Sequence, residues 1–306
     1  MDFDSYLWPA VPAITVMLII YLFGLFGNIM VVITTFRSKT LSTTCNVLIA
    51  FESIASTVHV TAHWYLGFLI YSGINDVPLQ QCAIVMTVPI IGLCSGNIFV
   101  MMTAVDRVFM IIAPIRYQTI NKTYYIVSCC LLGLAFSAYI LVVSHLNASN
   151  SPNVNVVCFI VEAMHGTPYN TYSTISMVIM FATFGCYVVI FIILKLQNRK
   201  ADKFFKPLII MISIVFFSWL LTAVSMIIAS TTNNGTIMFY TPLYVGITVN
   251  ISCASNFYVL YFMSGEYRQS FKSLLYKMTG LKLNTTTVSV MSVSHTNKTN
   301  KSSARS

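Results

Sequence analysis

CAIVMTVPIIGLCSGNIFVMMTAVDRVFMIIAP, Cys82 to Pro114, is the stretch that decides the fold. No charged residue stands between Cys82 and Asp106. Wound as a helix, the step from Cys82 to Arg107 rises about 37 Å. The hydrocarbon core of a bilayer is roughly 30 Å thick. The stretch therefore predicts a helix that crosses a membrane, with Cys82 at one surface and the Asp106–Arg107 pair at the other. A cysteine suits an oxidising outside and an arginine an anionic inside, so this helix orients the chain.

The rest of the sequence agrees. Of 306 residues, 57% are hydrophobic and 8% charged, with a mean hydropathy of +0.79. Soluble domains carry about 25% charged residues. No soluble core hides this much apolar surface, and the bilayer is the solvent. Six more apolar runs fall at about Ala10–Phe36, Thr44–Tyr71, Tyr124–His145, Thr167–Leu196, Phe204–Ser230 and Phe239–Met263, with the third span over Leu79–Ile112. Each is long enough to cross. Seven spans place the termini on opposite sides. Residues 1–9 hold Asp2 and Asp4 and no basic residue, so they lack the charged start of a signal peptide and are expected outside. In this arrangement all 17 Lys and Arg residues fall on the inner side. The net charge of +9 then reflects topology and attraction to acidic lipid, and argues against nucleic acid as a partner.

Several chemistries are unsupported. The eight cysteines form no Cys-x-x-Cys and no zinc-spaced Cys/His cluster. His59 and His63 share a helix face, but the motif offers no third ligand, so the pair is assigned to a pocket and no metal or cofactor is expected. No catalytic dyad or nucleophile motif occurs, so an enzyme is not expected. Asn147-Ala148-Ser149 and Asn234-Gly235-Thr236 are sequons expected outside. From Gly265 to Met278 the chain reads as an amphipathic helix for the membrane surface, with Phe271, Leu274, Leu275 and Met278 on one face. Residues 279–306 are polar and hydroxyl-rich, a cytoplasmic tail expected to be disordered and open to phosphorylation. The predicted fold is an all-α membrane protein, a seven-transmembrane-helix bundle over residues 10–278 with a short amphipathic eighth helix.

Asp106-Arg107-Val108, followed by Pro114-Ile115-Arg116-Tyr117, resembles the end of the third helix of rhodopsin-like G-protein-coupled receptors. Cys82 falls where that family has its extracellular disulfide cysteine. Cys158, the other cysteine placed outside, is its expected partner. Gly27-Asn28, Tyr187, Trp219 and Asn256 fall on further positions of the family pattern. Cys45-Asn46-Val47-Leu48-Ile49, with Ser56 to His59, is similar to the nematode serpentine chemoreceptors of the SRSX family. The chain departs from the wider pattern at several places. Val108 replaces the aromatic after the arginine, Leu221 the proline after Trp219, and Phe257 the proline after Asn256. Ser56 stands where the second helix carries an acid, and Glu52 lies one turn earlier, free to pair with a basic residue of the inner face.

The resemblance implies a receptor that passes an extracellular chemical signal to a heterotrimeric G protein. It assigns Asp106, Arg107, Pro114, Tyr187, Trp219 and Asn256 to coupling and switching. It places a ligand pocket for a small molecule or peptide among His59, His63, Pro89, Leu93, Tyr172, Thr222, Tyr244 and Asn250. Pro89 stands where amine receptors have an aspartate, which argues against an amine ligand, and it predicts a kink. The seventh span has no lysine, so retinal is excluded. The resemblance further implies the plasma membrane and an arrestin-type adaptor on the tail. The alternative is a transporter or channel for a small solute. Against it, the halves show no self-similarity, and Glu52 is the one ionisable residue placed mid-membrane.

Overall fold

A computed structural model describes residues 8–74, 76–196, 205–232 and 234–279. The expected residues 1–7, the inner loop 197–204 and the tail from 280 onward lie outside the described residues. Among the described residues, seven helices are long and apolar enough to cross a membrane. They are Ala10–Arg37, Thr44–Tyr71, Thr87–Ile112, Lys122–Ser149, Thr167–Leu196, Lys206–Thr231 and Gly235–Met263, called the first to seventh spans. Short helices cover Leu79–Val85, Pro114–Thr119, Ile160–Ala163 and Gly265–Thr279. The chain is a seven-helix membrane bundle.

Local chemistry sets the ends. Thr43, Asn121 and Asn234 cap the second, fourth and seventh spans by accepting backbone N–H groups of the first turn. The Asn234 cap starts the seventh span at Gly235, earlier than the expected Phe239. The fourth span runs on to Ser149, past the expected His145. Asn147 therefore sits in a helix, its Nδ2 donating to the His165 carbonyl at 2.9 Å, whereas Asn234 is exposed.

Two breaks interrupt the spans. Met86 separates Leu79–Val85 from Thr87–Ile112. Pro89 has no N–H for the Val85 carbonyl and its ring crowds that group, so the turn before it opens. The kink expected at Pro89 is matched by this interruption at Met86. The second span breaks at Thr61, where no proline or glycine stands. The Thr61 hydroxyl donates to the Val58 carbonyl at 2.6 Å and draws the chain into a tighter turn.

The second and third spans pack most extensively, the first and sixth lie against the seventh, and the third also meets the fourth and fifth. Gly92 explains the closest approach. A Cβ there would lie 2.5 Å from the His59 backbone nitrogen and 2.6 Å from the Ala55 carbonyl oxygen. The fourth span buries only a narrow stripe of mostly small residues, among them Gly133, Ser137 and Ser144, and its other faces are open. Asn28 donates to the Cys253 carbonyl at 3.2 Å, joining the first span to the seventh.

The helix Gly265–Thr279 differs from expectation in what its apolar face covers. Tyr267, Phe271 and Leu274 are buried in the bundle core, with the Phe271 ring 4.7 Å from that of Phe257. Phe257, at the departed proline position, fills the corner between the first span, the seventh and this helix. Gly27 makes room for it, since a Cβ there would come within 2.7 Å of the Phe257 Cβ.

Candidate functional site: a cavity at one end, an arginine at the other

Cys82 and Cys158 form a disulfide. Around it Val77 pairs with Val156 and Pro78 with Asn155 in a two-stranded antiparallel ladder. Asn155 donates to the Asp76 carboxylate at 2.8 Å. These ties hold the segment after Cys158 across the end of the bundle. Phe159, Val161 and Met164 of that segment then roof a cavity of about 100 Å³.

Six of the eight residues expected at the ligand pocket, His59, His63, Leu93, Tyr172, Thr222 and Asn250, line this cavity. Pro89 and Tyr244 do not. Pro89 is buried in the third span outside the wall, its effect confined to the kink. Tyr244 is 44% exposed, and its hydroxyl donates to the Pro9 carbonyl at 2.5 Å on the outer side of the seventh span. Trp219, expected as a switch, is also part of the wall, 6.3 Å from the Tyr172 ring. Among the described residues, no Asp, Glu, Lys or Arg lines the cavity.

Asn97 went unassigned in the sequence. Its Nδ2 donates to the Tyr172 hydroxyl at 3.2 Å and to the Ser176 hydroxyl at 2.9 Å, joining the third and fifth spans behind the wall. The available signal was an amide in a membrane helix, which needs partners. On the facing side His63 Nε2 lies 2.7 Å from Asn250 Oδ1, and His59 Nδ1 lies 3.7 Å from Cys253 Sγ. Among the described residues no group of three or more His, Cys, Asp or Glu is arranged to hold a metal ion.

Below the cavity, Glu52 is buried and pairs with no base among the described residues. Ser56 donates to its Oε1 at 2.7 Å, and Asn256 donates to its Oε2. The expectation of a basic partner at the inner face is therefore corrected. Asn256 approaches from the seventh span, with a weaker contact to Ser53 at 3.4 Å, and meets the carboxylate before any cation can.

At the arginine end, Asp106 is fully buried and lies 3.4 Å from Arg107 Nε. The Tyr117 hydroxyl donates to Asp106 Oδ1 at 2.9 Å. Pro114 opens the short helix that presents Tyr117. Burial, then the Asp106 carboxylate, hold the Tyr117 phenol above its ordinary range, so it remains a donor. Arg107 also points Nη1 at Met110 Sδ, 3.5 Å away. Tyr187 is buried in the core beside this end, its hydroxyl without a hydrogen-bond partner among the described residues. The Tyr267 hydroxyl meets Thr35 Oγ1 at 3.1 Å, and burial pushes its phenol up to about 12.

The family description "serpentine type 7TM GPCR chemoreceptor Srsx" matches residues 21–275, well over half of the chain. The chain belongs to the Srsx family. Curated proteins yield no match. The Srsx assignment makes this a chemoreceptor of the G-protein-coupled type and a multi-pass membrane protein. The match runs from Tyr21 to Leu275 and so takes in the cavity, the Asp106–Arg107 end and most of the Gly265–Thr279 helix.

Proposed function

We propose that this Srsx chain binds an extracellular chemical signal in the roofed cavity and passes it to a heterotrimeric G protein at the Arg107 end. The observation that carries the reading is that one helix serves both sites. The third span brings Leu93 to the cavity and Asp106 and Arg107 to the opposite end, about 20 Å away along its axis. The disulfide end faces outside and the basic end the cytoplasm, at the plasma membrane, as the distribution of Lys and Arg favours.

The mechanism is a shift between two arrangements of the bundle. Asp106 and Tyr117 hold the arginine end closed. A ligand against Leu93, Tyr172 and Trp219 favours the arrangement in which that end opens, freeing Arg107 and the basic inner loops for the G protein. Ligand and G protein then strengthen each other's binding, as linkage requires. Asn256 and Glu52 lie between the two ends and transmit the change. The hydroxyl-rich tail recruits an arrestin-type adaptor after phosphorylation.

The test is a screen of small molecules in cells carrying the receptor and a promiscuous G protein, with the purified receptor tested for solute flux in liposomes. Ligand-evoked second messenger without flux is expected. Flux without G-protein activation would favour the transporter or channel reading.

A further inference from the structure

We infer that the cavity opens sideways into the bilayer between the fifth and sixth spans, and that its ligand is an uncharged lipophilic molecule entering from the outer leaflet. The inference rests on reading the cavity as the ligand site. It starts from an asymmetry in the wall. On the side of the first, second and seventh spans, Met17, His59, His63, Leu66, Leu243 and Asn250 are all buried. On the opposite side, Tyr169, Ser173 and Met177 of the fifth span and Trp219, Thr222 and Ala223 of the sixth are only half-buried. Both groups border the same cavity, so the cavity's own surface does not account for the difference. The second group has a further opening beside it.

The packing of the two spans locates that opening. Towards the inner end, Tyr187, Ile190 and Leu194 share one apolar cluster with Leu208, Met211 and Ile212. Above these, Phe216 meets the rings of Phe181 and Phe184. At the level of the cavity the rings of Tyr172 and Trp219 lie 6.3 Å apart. Nearer the outside, no hydrogen bond or ring contact joins the two spans among the described residues. Overall the fifth and sixth spans are sparsely packed on one another. The sixth and seventh pack extensively, which closes the wall beside the half-buried Pro242 and Gly246. From above, Phe159 and Met164 of the roof are themselves buried, and the disulfide ties their segment down.

The gap lies in hydrocarbon, and this sets the ligand's chemistry. Ser173 is about 9 Å along the axis from Thr167, where the fifth span begins. The outer faces beside the gap meet lipid, with Val178 65% and Ile227 64% exposed. No Asp, Glu, Lys or Arg occurs in the fifth span before Lys195 or in the sixth after Lys206. An ammonium or carboxylate would lose its hydration along this route without compensation. On the gap side the wall's polar groups are the Tyr169, Ser173 and Thr222 hydroxyls and the Trp219 N–H, none with a formal charge. On the far side His63 is engaged with Asn250, and His59 faces Cys253. A neutral polar end therefore suits the gap side. The cavity, at about 100 Å³, is smaller than the roughly 150 Å³ one that takes benzene, so a longer chain would extend into the gap.

Trp219, in the wall at the gap, reports the opening. With Trp8→Phe and Trp64→Phe it is the one tryptophan left in the full-length receptor, held in lipid nanodiscs without G protein. Its fluorescence is measured against 1-bromooctane, 8-bromooctanoate and aqueous iodide. 1-Bromooctane should quench saturably, with an apparent affinity about tenfold above that of the carboxylate, and iodide should not quench. Ala223→Phe and Ser173→Phe fill the gap from its two sides. Each should weaken the 1-bromooctane affinity about tenfold while the thermal midpoint stays near that of the parent. Quenching by iodide or by the carboxylate as strong as by 1-bromooctane would overturn the inference. So would the absence of saturable quenching, or its persistence in either filled variant that folds. Quenching as expected without nucleotide exchange would instead count against G-protein coupling and leave the opening standing. Ligand-evoked exchange with no saturable quenching would leave the receptor reading standing and remove the opening.

Discussion

Asn256, on the seventh span, donates its side-chain amide to the Glu52 carboxylate on the second. The same carboxylate accepts the Ser56 hydroxyl one turn further along. The acid missing from position 56 is thus supplied by position 52, and the serine serves it as a donor. Hydrogen bonds to a buried charge are among the stronger ones, worth about 1.5–3 kcal/mol net. A double-mutant cycle of Glu52→Ala and Asn256→Ala, read by thermal unfolding in nanodiscs, should show coupling in that range. Additive effects would mean that the two side chains do not act as a pair.

The disulfide should act as a single unit. Cys82→Ser, Cys158→Ser and the double variant should each lose about 2–5 kcal/mol, with the double no worse than either single. Surface expression and thermal midpoint report this. A double variant clearly worse than both singles would assign one cysteine a separate role.

Gly92 and Gly185 form a contrasting pair. A methyl group at Gly92 would strike backbone atoms of the second span, which cannot move aside alone, while nothing lies within 4 Å of one at Gly185. Gly92→Ala should abolish or severely lower folded yield. Gly185→Ala should be neutral or stabilising by up to about 1 kcal/mol. Equal yields would refute the close span contact.

Much of the fold was legible because membrane crossing leaves a long apolar signal. The Pro89 kink was legible too, since a missing N–H has one local consequence. The Thr61 break was not, because a threonine in a helix ordinarily keeps the helical path. The surface-helix reading of Phe271 and Leu274 went astray for a related reason. Amphipathic spacing shows that one face is apolar but does not say whether lipid or protein covers it, and here Phe257 does. At the site, six of eight expected lining residues follow the inward faces of their spans. Tyr244 failed because rotation of the seventh span depends on packing against its neighbours. The roof of Phe159 and Met164 comes from a loop whose path is set by the disulfide and the short ladder, and no periodic pattern encodes that.

Tyr117 illustrates a residue visible in the motif but without an evident role until the fold brings it to Asp106. Tyr117→Phe removes one donor from a buried carboxylate while keeping the ring. Basal G-protein activation should rise, with little change in expression. Unaltered basal activity would make the contact structural only. Thermal midpoint should fall by an amount consistent with one hydrogen bond, about 1–3 kcal/mol.

The most direct test is guanine-nucleotide exchange on a purified heterotrimeric G protein by the receptor in nanodiscs, comparing wild type, Asp106→Asn and Arg107→Ala. Asp106→Asn releases the arginine that lies 3.4 Å away and should raise basal exchange several-fold. Arg107→Ala should fall to the rate of the G protein alone while its folded yield and thermal midpoint stay near those of the wild type. Wild-type exchange in Arg107→Ala, or no exchange above the G protein alone from either wild type or Asp106→Asn, would contradict the account.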